Sequence, residues 1–561
     1  MGTECDHRSF RRHPMRPTGR PHRTLIGAAV LALALAACGG GDDGGTAAGE
    51  NGGLVRASWG EPQNELEPAN TNEVQGGKVL DMTFRGLKRY NPETAEAEDA
   101  VAESIETDDQ QTFTITLREG WTFHDGTPVT ADSFVNAWNY GANIENAQIG
   151  SYFFEFIRGY EDVHPTEEGE EPTAETMSGL EVIDDRTFTV TLNEPFSLWP
   201  ETLGYSAYAP LPDAFFEDRE AWLRQPIGNG PYRIDTYNPG QGMTLLPFEE
   251  YAGDDGARND GVELIVYTDN STAYTDLQAG NLDVIDDIPA AQLRNAEQDL
   301  DGRYINEPAG IIQTVSFPLY AEAWQGGDAA TIRRGLSMAI NREEITERIF
   351  QGTRTPATDF TSPVLGEEGG YDEDLCGEVC EYDPERAREL IEEAGGLPGG
   401  TVTLSSNVDA GSHRQWMDAA CNSINNALGD TGACTVTPVP TFADYRNRIT
   451  GREMTGMFRT GWQMDYPLIQ NFLQPIFYST GSSNDSGYDN PDFDELVDRA
   501  NRADDEEEAV DLFREAEELL VEDLPAIPLW YQNGIAGYSE RVDNVTLNPF
   551  SVPVYTEITV N

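Results

Sequence analysis

The sequence predicts an α/β fold, because strand patterns and helix patterns alternate along nearly the whole chain. Residues 111–118 (QTFTITLR) alternate apolar and polar side chains, as a half-buried strand does, and residues 187–192 (TFTVTL) repeat that pattern. Residues 130–140 instead space their apolar side chains as a helix does, with Thr130 as a suitable N-cap. No internal repeat is visible, so a solenoid is not expected.

Two further helices are predicted nearer the C-terminus. Residues 384–394 begin with Asp383 as a cap and Pro384 at the first helical position, and they stop at a pair of glycines. Residues 500–522 have the pattern of one long acidic amphipathic helix, closed by Pro525.

The N-terminus has the form of an export signal. Six arginines precede an uncharged apolar run over residues 25–37, which is too short for a membrane span of roughly 20 residues. The run ends in Leu-Ala-Ala-Cys38, which resembles the bacterial lipobox. We therefore expect residues 1–37 to be a lipoprotein signal peptide and Cys38 to carry the lipid; an ordinary cleaved signal is the alternative. The glycine-rich residues 38–53 then form a flexible tether.

The charge of the remaining chain excludes one class of partner. After residue 37 there are 30 basic and 97 acidic residues, a net charge of −67. Nucleic acid is not expected to bind, because phosphate recognition needs clustered lysine and arginine. A solvated acidic coat that maintains solubility is the favoured interpretation, and a dedicated site for cations is the alternative.

The cysteines beyond Cys38 indicate disulfides. Their even number outside the cytoplasm favours two bonds, and of the three pairings we favour the two local ones. No Cys-x-x-Cys occurs, so a redox role is not expected. Histidine and cysteine do not cluster at ligand spacing, so no zinc site is expected. The favoured pairs are Cys376 with Cys380 and Cys421 with Cys434.

Catalytic motifs are missing from the sequence. Carboxylates occupy about one position in six, so a pair of acids at catalytic spacing arises by chance. The chain has no Gly-x-Ser-x-Gly, no glycine-rich phosphate loop and no His-Glu-x-x-His. We expect no enzymatic activity, no metal and no cofactor.

Residues 103–140 (ESIETDDQQTFTITLREGWTFHDGTPVTADSFVNAWNY) resemble the marker segment of the family 5 extracytoplasmic solute-binding proteins, the dipeptide- and oligopeptide-binding group of ABC importers. The resemblance covers about residues 54–561. Seven further matches follow in the family's order, at residues 179–192, 227–233, 277–284, 339–345, 382–387, 461–466 and 518–531.

The resemblance implies a two-lobed periplasmic-binding-protein-like clamp of type II, similar to cluster C, that closes on its ligand. The expected first lobe comprises residues 54–311 and 531–561, with an inserted subdomain over residues 85–179. The expected second lobe comprises residues 312–530.

The resemblance also assigns ligand contacts. Asp465 matches an aspartate that pairs with the α-ammonium group of a peptide, and Gly461 matches a position whose main chain pairs with an extended ligand. Arg459 matches a position that can meet the ligand's carboxylate, because a guanidinium holds a carboxylate through two hydrogen bonds. Trp462 and Phe442 match aromatic wall positions, with burial in the core as the alternative for both.

At two other positions the match with the family is weak or absent. His413 aligns with a residue that can meet the ligand's carboxylate or its waters, but a role at the start of a helix is favoured. After the first crossover some relatives have a lysine that contacts the ligand, whereas this chain reads FPLYAE over residues 317–322.

The function implied is that of a monomeric, lipid-anchored receptor on the outer face of a bacterial membrane. It would capture dipeptides or oligopeptides and deliver them to an ABC permease and its ATPase. The alternatives are a receptor for another solute, such as a nickel chelate, an oligosaccharide or an opine-like compound, and more remotely a sensory receptor or a secreted hydrolase.

Overall fold

The computed structural model describes residues 53–71, 73–165, 170–408 and 412–561. All of them belong to one compact unit, residues 49–561. The predicted signal peptide, the lipidation site Cys38 and the predicted tether up to residue 52 lie outside the described residues.

The fold is mixed α/β. The strands are β1 Leu54–Trp59, β2 Lys88–Tyr90, β3 Ala97–Asp99, β4 Ala102–Thr107, β5 Thr112–Leu117, β6 Leu180–Asp184, β7 Thr187–Thr191, β8 Tyr232–Asn238, β9 Gly242–Pro247, β10 Gly261–Val266, β11 Val284–Ile285, β12 Tyr304–Ser316, β13 Arg354–Pro356, β14 Val402–Asn407, β15 Cys434–Val439, β16 Met457–Gln463, β17 Ala526–Tyr538, β18 Val542–Asp543 and β19 Thr559–Val560.

The α-helices surround and connect these strands. They are α1 Val74–Thr83, α2 Ala131–Ala142, α3 Tyr160–Val163, α4 Trp199–Thr202, α5 Asp213–Glu217, α6 Arg219–Trp222, α7 Asn270–Gln278, α8 Ala290–Asp299, α9 Gly327–Met338, α10 Arg342–Arg348, α11 Pro384–Glu393, α12 His413–Leu428, α13 Phe442–Thr450, α14 Ile469–Phe477, α15 Pro491–Asn501 and α16 Glu506–Asp523. None of the described helices is long and apolar enough to span a membrane.

One large sheet runs through the molecule. Its strands follow the order β15-β14-β16-β12-β17-β11-β1-β10-β9-β8, and β13 pairs with β17 as well. The antiparallel strands β12 and β17 lie at its centre. The C-terminal half of β12 pairs with β16, and the C-terminal end of β17 pairs with β11, so this pair of strands joins the two halves of the sheet. The register of β12 against β17 shifts between Pro308 and Ile312, so the sheet is interrupted where it passes from one set to the other.

A separate four-stranded sheet, β4-β5-β7-β6, lies outside the large one. It starts within the segment 85–179 and continues through β6 and β7 to Thr191. Helix α2 packs against it through Trp138, whose ring contacts Phe188 and Trp199 edge to face at centroid distances of 5.7 and 6.4 Å. Buried aromatic rings therefore hold this sheet to its helices.

Most of the elements predicted from the sequence are present. The predicted strands correspond to β5 and β7, and the helix behind Thr130 is α2. Asp383 caps α11, since its carboxylate accepts the main-chain N–H groups of Glu385 and Arg386. The single helix predicted over residues 500–522 is wrong. α15 ends at Asn501, and Asp505 caps the start of α16 by accepting the N–H of Glu508.

Both predicted local cysteine pairs are bonded. Cys376–Cys380 closes a loop before α11, with its Cα atoms 5.6 Å apart. Cys421–Cys434 joins α12 to the first residue of β15, with Cα atoms 4.9 Å apart. The second bond fixes a helix against the edge strand of the large sheet.

Candidate ligand-binding site

A cavity of about 790 Å³ opens beside the centre of the large sheet. Most of its wall comes from residues 71–98, 204–209 and 548–557. The end of β16 and the turn after it contribute residues 463–465 from the other side. A volume of this size suits a small organic ligand or a short peptide.

Asp465 is held at the cavity wall by Asn471 of α14. The main-chain N–H of Asp465 donates to Asn471 Oδ1 at 2.8 Å, and Asn471 Nδ2 donates to Asp465 Oδ2 at 3.2 Å. The indole Nε1 of Trp462 donates to the same Asn471 Oδ1 at 2.9 Å. One amide side chain thus fixes both the turn after β16 and the orientation of the carboxyl group.

Among the described residues, no cation pairs with the carboxyl group of Asp465. No described basic side chain forms an ion pair with it, although part of its surface faces the cavity. Burial raises its pKa to about 7, and the hydrogen bond from Asn471 opposes that rise. A cationic group that entered the cavity would supply the missing partner and lower this pKa.

Four tyrosines are close enough to this carboxyl group to be affected by its charge. Burial raises the pKa of Tyr90, Tyr152, Tyr205 and Tyr466, and the nearby charge of Asp465 raises each of them further. Tyr90 and Tyr205 line the cavity directly. Aromatic faces next to a carboxylate attract cations, so the surroundings of Asp465 suit an ammonium group.

The sequence alone does not identify these tyrosines as neighbours of Asp465. Tyr466 follows Asp465 directly and was part of the matched motif. Tyr90, Tyr152 and Tyr205 precede Asp465 by more than 250 positions, and no spacing in the sequence connects them with it. Only the folded chain brings them to the same carboxyl group.

From Asp465, the candidate site extends along one face of β16. Side chains alternate along a strand, so Arg459, Gly461 and Gln463 share a face, and Gln463 lines the cavity. β14 pairs with β16 only at Met457 and Phe458. Beyond Phe458, no strand in the described part of the chain covers this outer edge.

The open edge presents main-chain hydrogen-bonding groups. Tyr445 Oη donates to the carbonyl oxygen of Arg459 at 2.5 Å from this side. In a strand, the main-chain N–H and C=O groups of alternate residues point to the same edge. The N–H and C=O groups of Gly461 therefore face the open edge of β16, as those of Arg459 do. Gly461 is also required by packing, since a Cβ there would lie 2.7 Å from the carbonyl oxygen of Ile312 in β12.

Arg459 is a half-buried cation that pairs with no carboxylate in the described part of the chain. Its Nε has no hydrogen-bond partner, and no described carboxylate forms an ion pair with the side chain. Burial lowers its pKa; Tyr445 opposes this effect, and the charge of Arg446, the smallest of the three effects, lowers the pKa further. Arg446 is itself paired with Asp485 at 2.6 Å. Arg459 can therefore accept an anionic group.

The other three predicted contacts lie elsewhere. Trp462 is on the opposite face of β16, in a cluster with Ile312, Met464 and Phe472. Phe442 is the first residue of α13 and is half exposed, while His413 is the first residue of α12.

His413 is buried, and its Nδ1 accepts from Trp416 Nε1 at 3.0 Å. Among the described residues that line the cavity, Asp465 is the only predicted contact; Gly461 and Arg459 lie further along β16, and Trp462, Phe442 and His413 are not among the lining residues either. In the same part of the chain, no group of three or more histidine, cysteine, aspartate or glutamate side chains is placed to hold a metal ion.

Curated relatives match nearly the whole chain. The oligopeptide-binding protein OppA of Bacillus subtilis is 25% identical over 546 residues, which cover 92% of this chain and 95% of that protein. The dipeptide-binding protein DppE of the same organism is 26% identical and covers 87% and 88%. The glutathione-binding protein GsiB of Escherichia coli K12 is 25% identical and covers 86% and 90%.

Solved structures share the fold. The unliganded open form of the periplasmic murein tripeptide-binding protein MppA superposes with a TM-score of 0.76 at 22% identity, covering 91% of this chain and 98% of that one. Haemophilus influenzae OppA in complex with RPPGFSPFR gives 0.71 at 21% identity, covering 91% and 100%. The shared architecture is the two-lobed fold of periplasmic binding proteins, as the resemblance implied.

The family description "Bacterial extracellular solute-binding proteins, family 5 Middle" matches residues 96–484, more than half of the sequence. This match agrees with the curated relatives and with the fold. The chain belongs to the family 5 bacterial extracellular solute-binding proteins.

Proposed function

We propose that this protein captures peptides outside the cytoplasmic membrane and delivers them to an ABC permease, whose ATPase drives import. The observation that carries the proposal is Asp465, a carboxyl group without a cation at the wall of the cavity. The names of the relatives support it, because they describe proteins that bind oligopeptides, dipeptides and glutathione. No chemistry is performed on the ligand.

The ligand lies along the open edge of β16. Its α-ammonium group pairs with Asp465 beside the tyrosines, and its main chain bonds to Gly461. Its carboxylate meets Arg459, which gives both ends of the ligand an opposite charge. Arg459 and Asp465 are six positions apart, up to about 20 Å at the rise of a strand, which suits an extended ligand of roughly four to six residues.

The lobes close on the ligand around β12 and β17. The first lobe comprises residues 54–311 and 531–561, with the inserted subdomain over 85–179, and the second comprises 312–530. This division is supported by the interrupted register between Pro308 and Ile312. Closure excludes water from the charged ends of the ligand, which strengthens each ionic hydrogen bond.

The protein acts at the membrane surface as a monomer. Cleavage before Cys38 and lipidation of its thiol would anchor the chain, and residues 39–53 would serve as the tether. Anchoring keeps the receptor close to the permease and raises its effective concentration without any new contact.

Calorimetry with short peptides tests the proposal. Wild-type protein should bind peptides with a free amino terminus, and Asp465→Ala should weaken them by about 10- to 100-fold, the value of a charge-assisted hydrogen bond. The same substitution should reduce the affinity for N-acetylated peptides much less. Asp108 is an exposed aspartate in the turn after β4, so Asp108→Ala is the matched control and should change the affinity for neither kind of peptide.

Equal losses for free and acetylated peptides would refute the role of Asp465. Mass spectrometry of ligand that co-purifies with gently prepared protein tests the ligand class directly. Recovery of another solute, such as a sugar or a metal chelate, with no binding of peptides would overturn the peptide assignment. The cation-free carboxyl group favours an amine-bearing ligand over a sugar.

A further inference from the structure

A second arginine lies on the same sheet as Arg459. Arg354 is the first residue of β13, and its Nη1 donates to Gln313 Oε1 at 2.8 Å while its Nη2 donates to Gln532 Oε1 at 3.1 Å. Its guanidinium also stacks over the ring of Phe350, 4.0 Å from the centroid. Two amides and a ring therefore hold this cation in one orientation.

The two arginines share one face of the large sheet. Arg354 is opposite Gln532 in β17, and Gln313 of β12 is opposite Gly461 of β16. Arg459 is two residues from Gly461 and thus on the same face as Gln313. Arg354, Gln532, Gln313 and Arg459 thus form a row across the four strands β13, β17, β12 and β16.

The charges of this row are not compensated. No described carboxylate forms an ion pair with Arg354 or Arg459, in a chain that has 99 acidic and 36 basic residues. Burial lowers the pKa of Arg354 to about 10, and the charge of Arg459 contributes to this. Both groups stay charged at neutral pH, so two positive charges repel one another in a partly desolvated place.

Buried donors in this row also lack acceptors. Gln313 is only 4% exposed, and its Nε2 has no hydrogen-bond partner although its Oε1 is used by Arg354. Trp530, directly opposite Gln313, is fully buried with an unpartnered Nε1, and Arg459 Nε is unpartnered too. Buried donors are nearly always paired in native proteins, so an acceptor from outside the chain is expected here.

We propose that Arg354 and Arg459 together receive a doubly negative ligand end, which for a peptide means a C-terminal aspartate or glutamate. The main-chain carboxylate and the side-chain carboxylate of such a residue would balance both guanidinium charges, whereas a single carboxylate balances one. Gln313 Nε2 would donate to one of the carboxylate oxygens. This inference rests on the proposed function and adds a substrate class to it.

The experiment compares two peptides that differ only at the last residue. Calorimetry at 0.15 M salt should show that a tetrapeptide or pentapeptide ending in Glu binds about tenfold more tightly than the same peptide ending in Gln. Arg354→Gln should reduce this preference to less than about threefold, mainly by weakening the Glu-ended peptide. Arg348→Gln, which changes an exposed arginine of α10, is the matched control and should keep the preference.

Equal affinity of the two peptides for the wild-type protein would overturn the inference, and so would an undiminished preference in Arg354→Gln. If Arg354→Gln does not fold, Gln313→Glu gives a second variant. It places a carboxylate of the protein beside Arg354 and should also reduce the preference. Failure of every peptide to bind would refute the proposed function, whereas equal binding of both would refute this inference alone.

Discussion

The protonation state of Asp465 should change with pH within the physiological range. Its pKa of about 7 arises from burial without a cation, so the ligand-free carboxyl group is half protonated near neutrality. A peptide ammonium group pairs only with the ionised form. Binding below pH 7 therefore requires the release of a proton, and affinity should fall as the pH decreases.

We expect the affinity for a peptide with a free amino terminus to fall by up to about tenfold per unit between pH 7 and pH 5.5, the slope for one proton. Calorimetry across this range measures it, with the N-acetylated peptide as the control because it has no ammonium group to pair. A flat profile for the free peptide would mean that Asp465 is already ionised or does not meet the ammonium group.

Asn471 should set the pH at which this change occurs. Its hydrogen bond to Asp465 Oδ2 opposes the effect of burial, so Asn471→Leu should raise the pKa of Asp465 and weaken peptides at pH 7 several-fold. This loss of peptide affinity should be smaller at pH 8, where more of the Asp465 carboxyl group is ionised. Asn422→Leu on the exposed side of α12 is the matched control. An equal loss at both pH values would assign Asn471 a purely structural role.

The sequence could propose Asp465 and Arg459 as ligand contacts, which stay predictions, because both belong to one short motif on a single strand and the turn after it. It could not predict Tyr90, Tyr152 or Arg354. Tyr90 and Tyr152 come near Asp465, and Arg354 joins the sheet that contains β16, through long-range packing and strand pairing, which leave no periodicity or spacing in the chain. Such residues are found only when the sheet order and register are known.

At the level of elements, α16 carries a buried acid pair. Glu517 and Asp359 are both fully buried, and their carboxyl groups lie within hydrogen-bonding reach. Asp359 accepts the N–H groups of Thr361 and Asp372 at 2.6 and 2.7 Å, whereas neither oxygen of Glu517 accepts a donor. Asp359 therefore holds the negative charge and Glu517 the proton.

Burial and the neighbouring charge of Asp359 raise the pKa of Glu517 well above 4.5, with a smaller like-signed effect of Asp372 and an opposite effect of Arg514. Above pH 4.5 the unfolded chain releases this proton while the folded protein keeps it. Stability contributed by the protonated pair is thus present at low pH, and it is lost as the pH rises toward the pKa of the folded state.

Glu517→Gln should remove that loss, because an amide donates to Asp359 at every pH. We expect it to raise the free energy of unfolding at pH 8 by at least about 1 kcal/mol, because the wild-type protein loses about 1.4 kcal/mol per pH unit while only the folded state keeps the proton, and to change it little at pH 5. Urea unfolding at both pH values measures this, with the exposed Glu515→Gln of the same helix as the control. Equal effects of Glu517→Gln at pH 5 and pH 8 would contradict the assignment of the proton.

The region before α16 also shows what sequence patterns miss at this scale. The acidic, amphipathic pattern of residues 500–522 is continuous, and it hides the break at residues 502–505. The break arises from Asp505, whose carboxylate caps a new helix instead of continuing the old one. A continuous pattern fixes which face is buried, but a capping residue decides where one helix ends and another begins.

At the level of the whole molecule, Gly310 connects the two parts of the large sheet. Its N–H donates to the carbonyl of Pro549, and its carbonyl accepts from the N–H of Met464, each at 2.8 Å. Pro549 and Met464 both line the cavity, from opposite sides. Gly310 also lies inside the interrupted register of β12 and β17, where a hinge for closure would have to bend.

A side chain at Gly310 should therefore disturb ligand capture more than stability. A Cβ there would clash with Met464 Sδ, so Gly310→Ala must displace the side chain of Met464, a residue that lines the cavity. We expect peptide affinity to fall about tenfold, and the second change Met464→Ala should restore most of it by freeing the space. Gly432→Ala, at a loop position with room for a Cβ, is the matched control.

Small-angle scattering shows whether this loss is a loss of closure. Saturating peptide should reduce the radius of gyration of the wild-type protein, because the lobes come together around the ligand. Gly310→Ala should show the same reduction only at higher peptide concentration, since its main chain can still bend. If peptide binds the wild-type protein without any reduction, capture does not require closure; in that case an affinity change in Gly310→Ala would arise from the displaced Met464 alone.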